Sequence, residues 1–265
     1  MRVALAQLDI EGAAVDQNVG RAVAAVREAA GGGADLVCLP ELFNVGFFAF
    51  DSYQREAESL DGPTLSAVRE AAVDEGVAVL AGSIVEDLAE TDGGPADEGL
   101  ANTSVLFDSS GDSLLTYRKH HLFGYESAEA QLLTPGERVP TADLGGFTAA
   151  VTTCYDLRFP ELYRDLVQDG VDLLLVPSAW PYPRVEHWKL LPQARAVENL
   201  AYVAAVNGSG DFGDDQLLGR STVYDPWGTP VAATDDHPDV VYADLDPERV
   251  ASVRADFPAL DDRRR

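Results

Sequence analysis

Apolar and polar positions along this chain follow two periods in turn. Residues 2–10, RVALAQLDI, read as a strand. Residues 18–30, NVGRAVAAVREAA, repeat apolar side chains at helical spacing, and glycines 31–33 end that helix. Residues 34–40, ADLVCLP, form a continuous apolar run, the pattern of a strand covered on both faces. A helix is predicted over 63–76, opened by Pro63, and a strand over 77–86. Residues 103–119 read as two strands joined at SSGD, a hairpin.

The second half repeats the theme. Strands are predicted over 147–154, 171–180 and 201–207, with helices over 159–170 and 187–200 between them. Residues 221–233, STVYDPWGTPVAA, look like another hairpin. ADLVCLPELF and VDLLLVPSAW resemble each other, each a buried strand ending in Leu/Val-Pro, which points to two related halves. The alternation predicts a mixed α/β sandwich, two sheets within and helices outside, over one domain spanning 1–265. Residues 86–101, acidic and Gly-rich, are expected as an exposed loop, and the tail from about residue 250 as an extension from the core towards a partner subunit.

Composition narrows the partners. The 265 residues carry 45 Asp and Glu against 19 Lys and Arg, a net charge of −26. Phosphates would be repelled along most of such a surface, so nucleic acid is a poor partner. Lysine occurs only at Lys119 and Lys189. Scarce lysine with many acids fits a protein working in concentrated salt, where screening removes self-repulsion; an acidic enzyme of ordinary salt is the alternative. No apolar run is long enough to cross a bilayer, and the N-terminal stretch lacks a basic segment followed by an apolar one, so a cytoplasmic location is expected. Cys38 and Cys154 are then expected as free thiols.

Several motifs have plain readings. GSGDFG, 208–213, fits a glycine-rich phosphate loop, but no helix follows, so an ordinary loop is expected. NTS at 102–104 and NGS at 207–209 match glycosylation sequons that mean little without secretion. His120 and His121, if on a strand, face opposite sides and are poorly placed to share a metal with Cys154. Cys38 reads as a small buried hydrophobe.

Cys154 differs because the chain turns directly after it, in VTTCYDLRFPELYR. A nucleophile at a strand-to-helix bend is exposed at the sheet's edge, with backbone N–H groups nearby for an oxyanion. A thiol there needs an activating base. His120, His121, His187 and His237 are poorly placed for that. Glu41 ends the strand 34–40, taken as the counterpart of the strand before Cys154, so the two ends can converge. A carboxylate leaving a buried run suits a base near neutrality, although a solvated helix-start Glu has the same pattern. Lys119 is a candidate electrophile, since a compact ammonium is not interchangeable with guanidinium where one point charge faces an oxyanion; a surface charge at a strand end is its plain reading.

LPELF around Glu41, RKHHLF around Lys119 and CYDLRFPE around Cys154 resemble, in order and spacing, the three signature segments of the nitrilase superfamily of carbon–nitrogen hydrolases. The likeness extends to ALAQLDI, QARAVENLAYVAAVN and VYADLDPERV. It implies a four-layer α-β-β-α sandwich, a homodimer or larger homo-oligomer, and no metal or organic cofactor. It also implies that Glu41 is the base, Cys154 the nucleophile, and Lys119 with the backbone N–H of Tyr155 the oxyanion donors. A second glutamate orients the lysine in this family, and Glu129, at the family's distance from Pro135 and Gly136, is preferred to Glu126.

Within the superfamily, CYDLRFPE is most similar to the omega-amidase branch, and SAWPYPRVEHW followed by ARAVEN to its 2-oxoglutaramate amidases. The implied substrate is the terminal amide of a small carboxylic acid. Arg158 and Arg184 are candidates to hold its carboxylate, and Trp180 to wall the pocket; a structural salt bridge is the other reading of Arg158. The alternatives are N-carbamoyl amino acid or nitrile hydrolysis with the same three residues, and a non-catalytic binding protein on this fold, against which the intact Glu41, Lys119 and Cys154 argue.

Overall fold

A computed structural model describes residues 1–125 and 127–264. The first half comprises β1 (Arg2–Gln7), α1 (Val15–Gly31), β2 (Leu36–Cys38), the single turn α2 (Tyr53–Glu56), α3 (Pro63–Glu75), β3 (Ala78–Asp87), β4 (Leu100–Phe107) and β5 (Ser113–Arg118). A further turn, α4 (Glu129–Leu132), leads to the second half: β6 (Thr141–Leu144), β7 (Phe147–Val151), α5 (Pro160–Gln168), β8 (Leu173–Ser178), α6 (Val185–Asn199) and β9 (Tyr202–Asn207). A small hairpin, β10 (Ser209–Phe212) and β11 (Asp215–Leu218), precedes β12 (Thr222–Tyr224), β13 (Pro230–Ala233), β14 (Asp239–Asp244) and α7 (Pro247–Asp256).

The strands form two six-stranded sheets, β14-β1-β2-β3-β4-β5 and β6-β7-β8-β9-β12-β13, beside the separate β10-β11 pair. Along the first, pairings run antiparallel, parallel, parallel, antiparallel, antiparallel. Along the second they run in the same series. The halves are therefore topological repeats, and β2 corresponds to β8, the two strands whose sequences resemble each other. The counterpart of the strand before Cys154 is accordingly β1, which corrects the assignment of that role to residues 34–40.

The period of two along each strand builds the layers. Val3 and Leu5 of β1 meet Ala149 and Val151 of β7, Leu173 and Leu175 of β8 in a core between the sheets. Ala4 and Ala6 face the other way, onto Ala22 and Val26 of α1 and the apolar side of α3. Ala150, Leu174 and Val176 likewise turn outward onto α5 and α6. The result is α-β-β-α. Local signals set the helix ends: Pro63 and Pro160 occupy first turns, where a missing N–H is harmless, and Gly76 closes α3 at φ +65°.

Four expectations are revised. The loop predicted over 86–101 is shorter: β3 runs to Asp87, Leu88 is buried, and β4 begins at Leu100. GSGDFG is no plain loop, because 209–212 pair with 215–218. His120 and His121 lie beyond the end of β5, so alternation does not apply, and their rings meet edge to face at 4.6 Å. The tail does not leave the core at about 250: Val250 and Val253 of α7 are buried, and Arg254 donates to the carbonyls of Leu200 and Val171.

One close backbone approach ties β3 to the segment that carries Glu41. A Cβ on Gly82 of β3 would lie 1.9 Å from the carbonyl oxygen of Pro40, directly before Glu41. Gly82→Ala is therefore expected to lose about 3 kcal/mol of stability, seen as a lowered thermal unfolding midpoint; an unchanged midpoint would show that the two backbones can part freely.

Candidate active site

β7 and β8 run parallel and so end at one edge of their sheet, and the hydrogen bond from the Glu41 N–H to the Ser178 carbonyl brings the end of β2 to the same place. Glu41 leaves β2 through a tight turn in which Leu42 takes φ +45°. Its own N–H donates to the Ser178 carbonyl at the end of β8, and the Leu42 N–H to Ser83 Oγ at 2.9 Å. Cys154 follows β7 at φ +47° and opens the 3-10 turn Cys154–Arg158, which leads into α5. Left-handed backbone at a non-glycine is strained, and tertiary contacts hold it here. The Asp156 carboxylate accepts from the Thr153 N–H at 2.8 Å, from the His121 N–H at 2.9 Å and from the Tyr117 hydroxyl, and it pairs with His121 Nδ1. Asp156 thus stitches the turn after Cys154 to the segment after Lys119.

Glu41, Lys119, Glu129 and Cys154 come together in one buried cluster, with the first three inaccessible and Cys154 8 % exposed. Lys119 Nζ donates to Glu41 Oε1 at 2.8 Å and to Glu129 Oε1 at 2.7 Å. Glu41 Oε2 accepts from the Ala179 N–H at 2.9 Å, and Glu129 Oε2 from the Phe123 N–H at 2.7 Å. Burial disfavours the ammonium of Lys119, but the charges of Glu129 and Glu41, and then of Cys154, outweigh it and raise its pKa. Burial raises the pKa of Glu129 despite Lys119. The Cys154 thiol is pushed well above the ordinary range, by burial first and then by the charge and hydrogen bond of Glu41, against the pull of Lys119. Burial and Glu41 thus favour the protonated thiol, from which a nucleophile forms by handing its proton to a neighbour.

A cavity of about 220 Å³ opens over Cys154. Phe47, Phe48, Phe50, Phe123, Tyr155 and Trp180 supply its apolar walls. Arg158 and Arg184 line it too, and among the described residues neither has an ion-pair partner. Arg158 lies over the Trp180 ring at 5.0 Å and reaches His187 Nδ1 at 3.2 Å; Arg184 lies over Phe123 at 5.3 Å. Among the described residues Arg158 therefore meets an aromatic face and an imidazole rather than a carboxylate. Asp215, from the β10-β11 hairpin, completes the rim.

The wall formed by Phe47, Phe48 and Phe50 was not anticipated, although three phenylalanines shortly after LPELF were a signal, and neither was the support from Asp156, Tyr117 and Asn102. Glu126 lies outside the described residues. Cys38 sits in the core between the sheets, where burial raises its thiol pKa. No group of three or more His, Cys, Asp or Glu is placed to hold a metal ion among the described residues, and no helix there is long and apolar enough to cross a membrane.

A buried thiol beside a carboxylate and an ammonium, at the mouth of an α-β-β-α sandwich, is the arrangement of a thiol-dependent hydrolase. Residues 2–255 match the carbon–nitrogen hydrolase family. The chain is 37% identical to a 2-oxoglutaramate amidase of Paenarthrobacter nicotinovorans, covering 88% of this chain and 79% of the relative. It is 35% identical to omega-amidase NIT2 of Homo sapiens, covering 99% and 95%. Its fold superposes with a TM-score of 0.89, at 32% identity, on a CN-hydrolase superfamily protein of Xanthomonas campestris with an arsenic adduct in its active site, covering 100% and 97%. The chain belongs to the carbon–nitrogen hydrolase family.

Asp156 offers a test of how the nucleophile turn is held. Asp156→Ala leaves the buried Tyr117 hydroxyl and Thr153 N–H without their acceptor, so a stability loss of about 3 kcal/mol is expected in denaturant unfolding. A loss below about 1 kcal/mol would mean that the turn holds itself.

Proposed function

We propose that the protein hydrolyses the terminal amide of a small carboxylic acid to the acid and ammonia, through a thioester on Cys154. The observation that carries this reading is the buried cluster of Cys154, Glu41 and Lys119 beneath a cavity lined by the guanidiniums of Arg158 and Arg184.

Glu41 takes the thiol proton, and the thiolate attacks the amide carbon. Lys119 spends two of its three N–H groups on Glu41 and Glu129, leaving one for the developing oxyanion. The backbone N–H of Tyr155, in the turn that starts at Cys154, is the second donor. As the C–N bond breaks, Glu41 returns the proton to the departing nitrogen as ammonia. A water that gives its proton to Glu41 then attacks the thioester, releasing the acid and restoring the thiol. Glu129 holds Lys119 in place throughout.

Arg158 and Arg184 take the substrate's carboxylate, with Trp180 as a wall. In so acidic a chain, local positive charge is what admits an anion. The names of the relatives point the same way. The same acidity, with lysine so scarce, supports a protein adapted to high salt. A homodimer is supported by apolar side chains left exposed on α6, Leu190 and Val197, and by Trp227 and Phe257, whose rings lie 5.8 Å apart.

Ammonia release from 2-oxoglutaramate and succinamate in concentrated KCl is expected from the wild type and not from Cys154→Ala. Silence from a folded wild type on both amides would sink this substrate class, leaving N-carbamoyl amino acids and nitriles to be assayed. Arg158→Ala and Arg184→Ala are each expected to raise KM about tenfold with a smaller effect on kcat, as loss of a charged hydrogen bond to bound substrate implies. Unchanged KM in both would place the carboxylate elsewhere.

A further inference from the structure

The sequon-like NTS holds a residue that the chemistry so far leaves unused. Asn102 is buried at 1 % exposure on β4, so it is closed to glycosylation. Its carbonyl accepts the N–H of Lys119 at 2.8 Å, which places the two side chains together where β4 and β5 end their pairing. Asn102 Nδ2 donates to Glu41 Oε1 at 2.9 Å and to Glu129 Oε1 at 3.3 Å. These are the same two oxygens that receive Lys119 Nζ. Each carboxylate oxygen therefore lies between one ammonium and one amide.

Two details separate this from ordinary packing. Both N–H groups of the amide are committed to carboxylates, while its Oδ1 meets no donor among the described residues. The amide has only this orientation open to it, since the flipped form would aim Oδ1 at two carboxylates. The second detail is donor count. An ammonium has three N–H groups, and each carboxylate oxygen has room for two donors. With Asn102 filling the second place on both oxygens, the cluster makes no demand on the third N–H of Lys119.

We propose that Asn102 is a positioning residue for the reaction. It holds Glu41 and Glu129 side by side against Lys119, keeps the free N–H of Lys119 directed at the substrate oxygen, and stabilises the extra negative charge that the cluster carries when the Glu41–Cys154 pair loses its shared proton to solvent. It touches neither substrate nor Cys154. The inference rests on the hydrolytic reading for its effect on turnover, while its effect on the thiol stands apart from any substrate.

The test uses Asn102→Asp, which keeps the shape, removes both donors and adds a charge, and Asn102→Ser, which keeps one donor. Each is assayed for kcat, KM, thermal unfolding, and the pH dependence of Cys154 alkylation by iodoacetamide. Expected are a fall in kcat of about 10- to 100-fold with KM within about threefold. The alkylation profile moves to higher pH, by about one unit or more for Asn102→Asp and by less for Asn102→Ser. Wild-type kcat and alkylation profile in both variants would overturn the proposal. So would losses that merely track the fraction unfolded. If Asn102→Asp does not fold, Asn102→Ser decides on the same criteria. If the wild type cleaves no amide offered, the alkylation profiles alone decide: a shift supports the positioning role, and no shift overturns it.

Discussion

The ammonium of Lys119 is out of contact with water, and two carboxylates keep it charged there. Most of the site depends on that arrangement. A buried ammonium needs paired anions, and a buried pair of carboxylates needs donors beyond one lysine. The backbone N–H groups of Ala179 and Phe123 and the amide of Asn102 meet that need. Those donors come from β4 and from the chain segments after β5 and β8, so the charge cluster exists only when both sheets are in place. The same electrostatics hold the thiol protonated until Glu41 takes its proton.

The scaffold places this cluster by symmetry and then breaks the symmetry for chemistry. The two halves share one series of strand pairings, and their central parallel strands end at one opening. Position for position, LPE after β2 corresponds to VPS at the end of β8, and the two ends grip each other through the Glu41 N–H and the Ser178 carbonyl. Glu41 brings a carboxylate from one half. The other half brings a thiol. Both lie at left-handed turns, at Leu42 and at Cys154 itself, where strain is held by neighbours such as Ser83 and Asp156.

Much of this is legible in the chain. Continuous apolar runs at 34–40 and 171–180 announce strands covered on both faces, because a strand between a helix layer and a second sheet has no polar side to show. Glu41, Lys119 and Cys154 stand out because each sits at the end of a strand-like run. The edge strands β6 and β14 escape such a reading: they are short and half exposed, so their alternation is faint. The hairpin at 209–218 reads as a loop because its glycines mimic one, whereas its place is set by contact, with Phe212 against Phe48 at 5.6 Å.

Local pattern, turn residues and three charged or nucleophilic side chains at strand ends determined the layers, the repeat and the identity of the central chemistry, since these depend on periods and residue types within short windows. Tertiary structure alone decided the partners. Asn102 reads as a sequon, Asp156 draws no reading, and Arg158 stays open between a substrate clamp and a salt bridge, until tertiary structure brings their neighbours beside them. Hydrogen bonds, stacking and mutual charge act over a few ångströms in space. Separations of 61 residues between Asn102 and Glu41, or 39 between Tyr117 and Asp156, hide them from any reading along the chain.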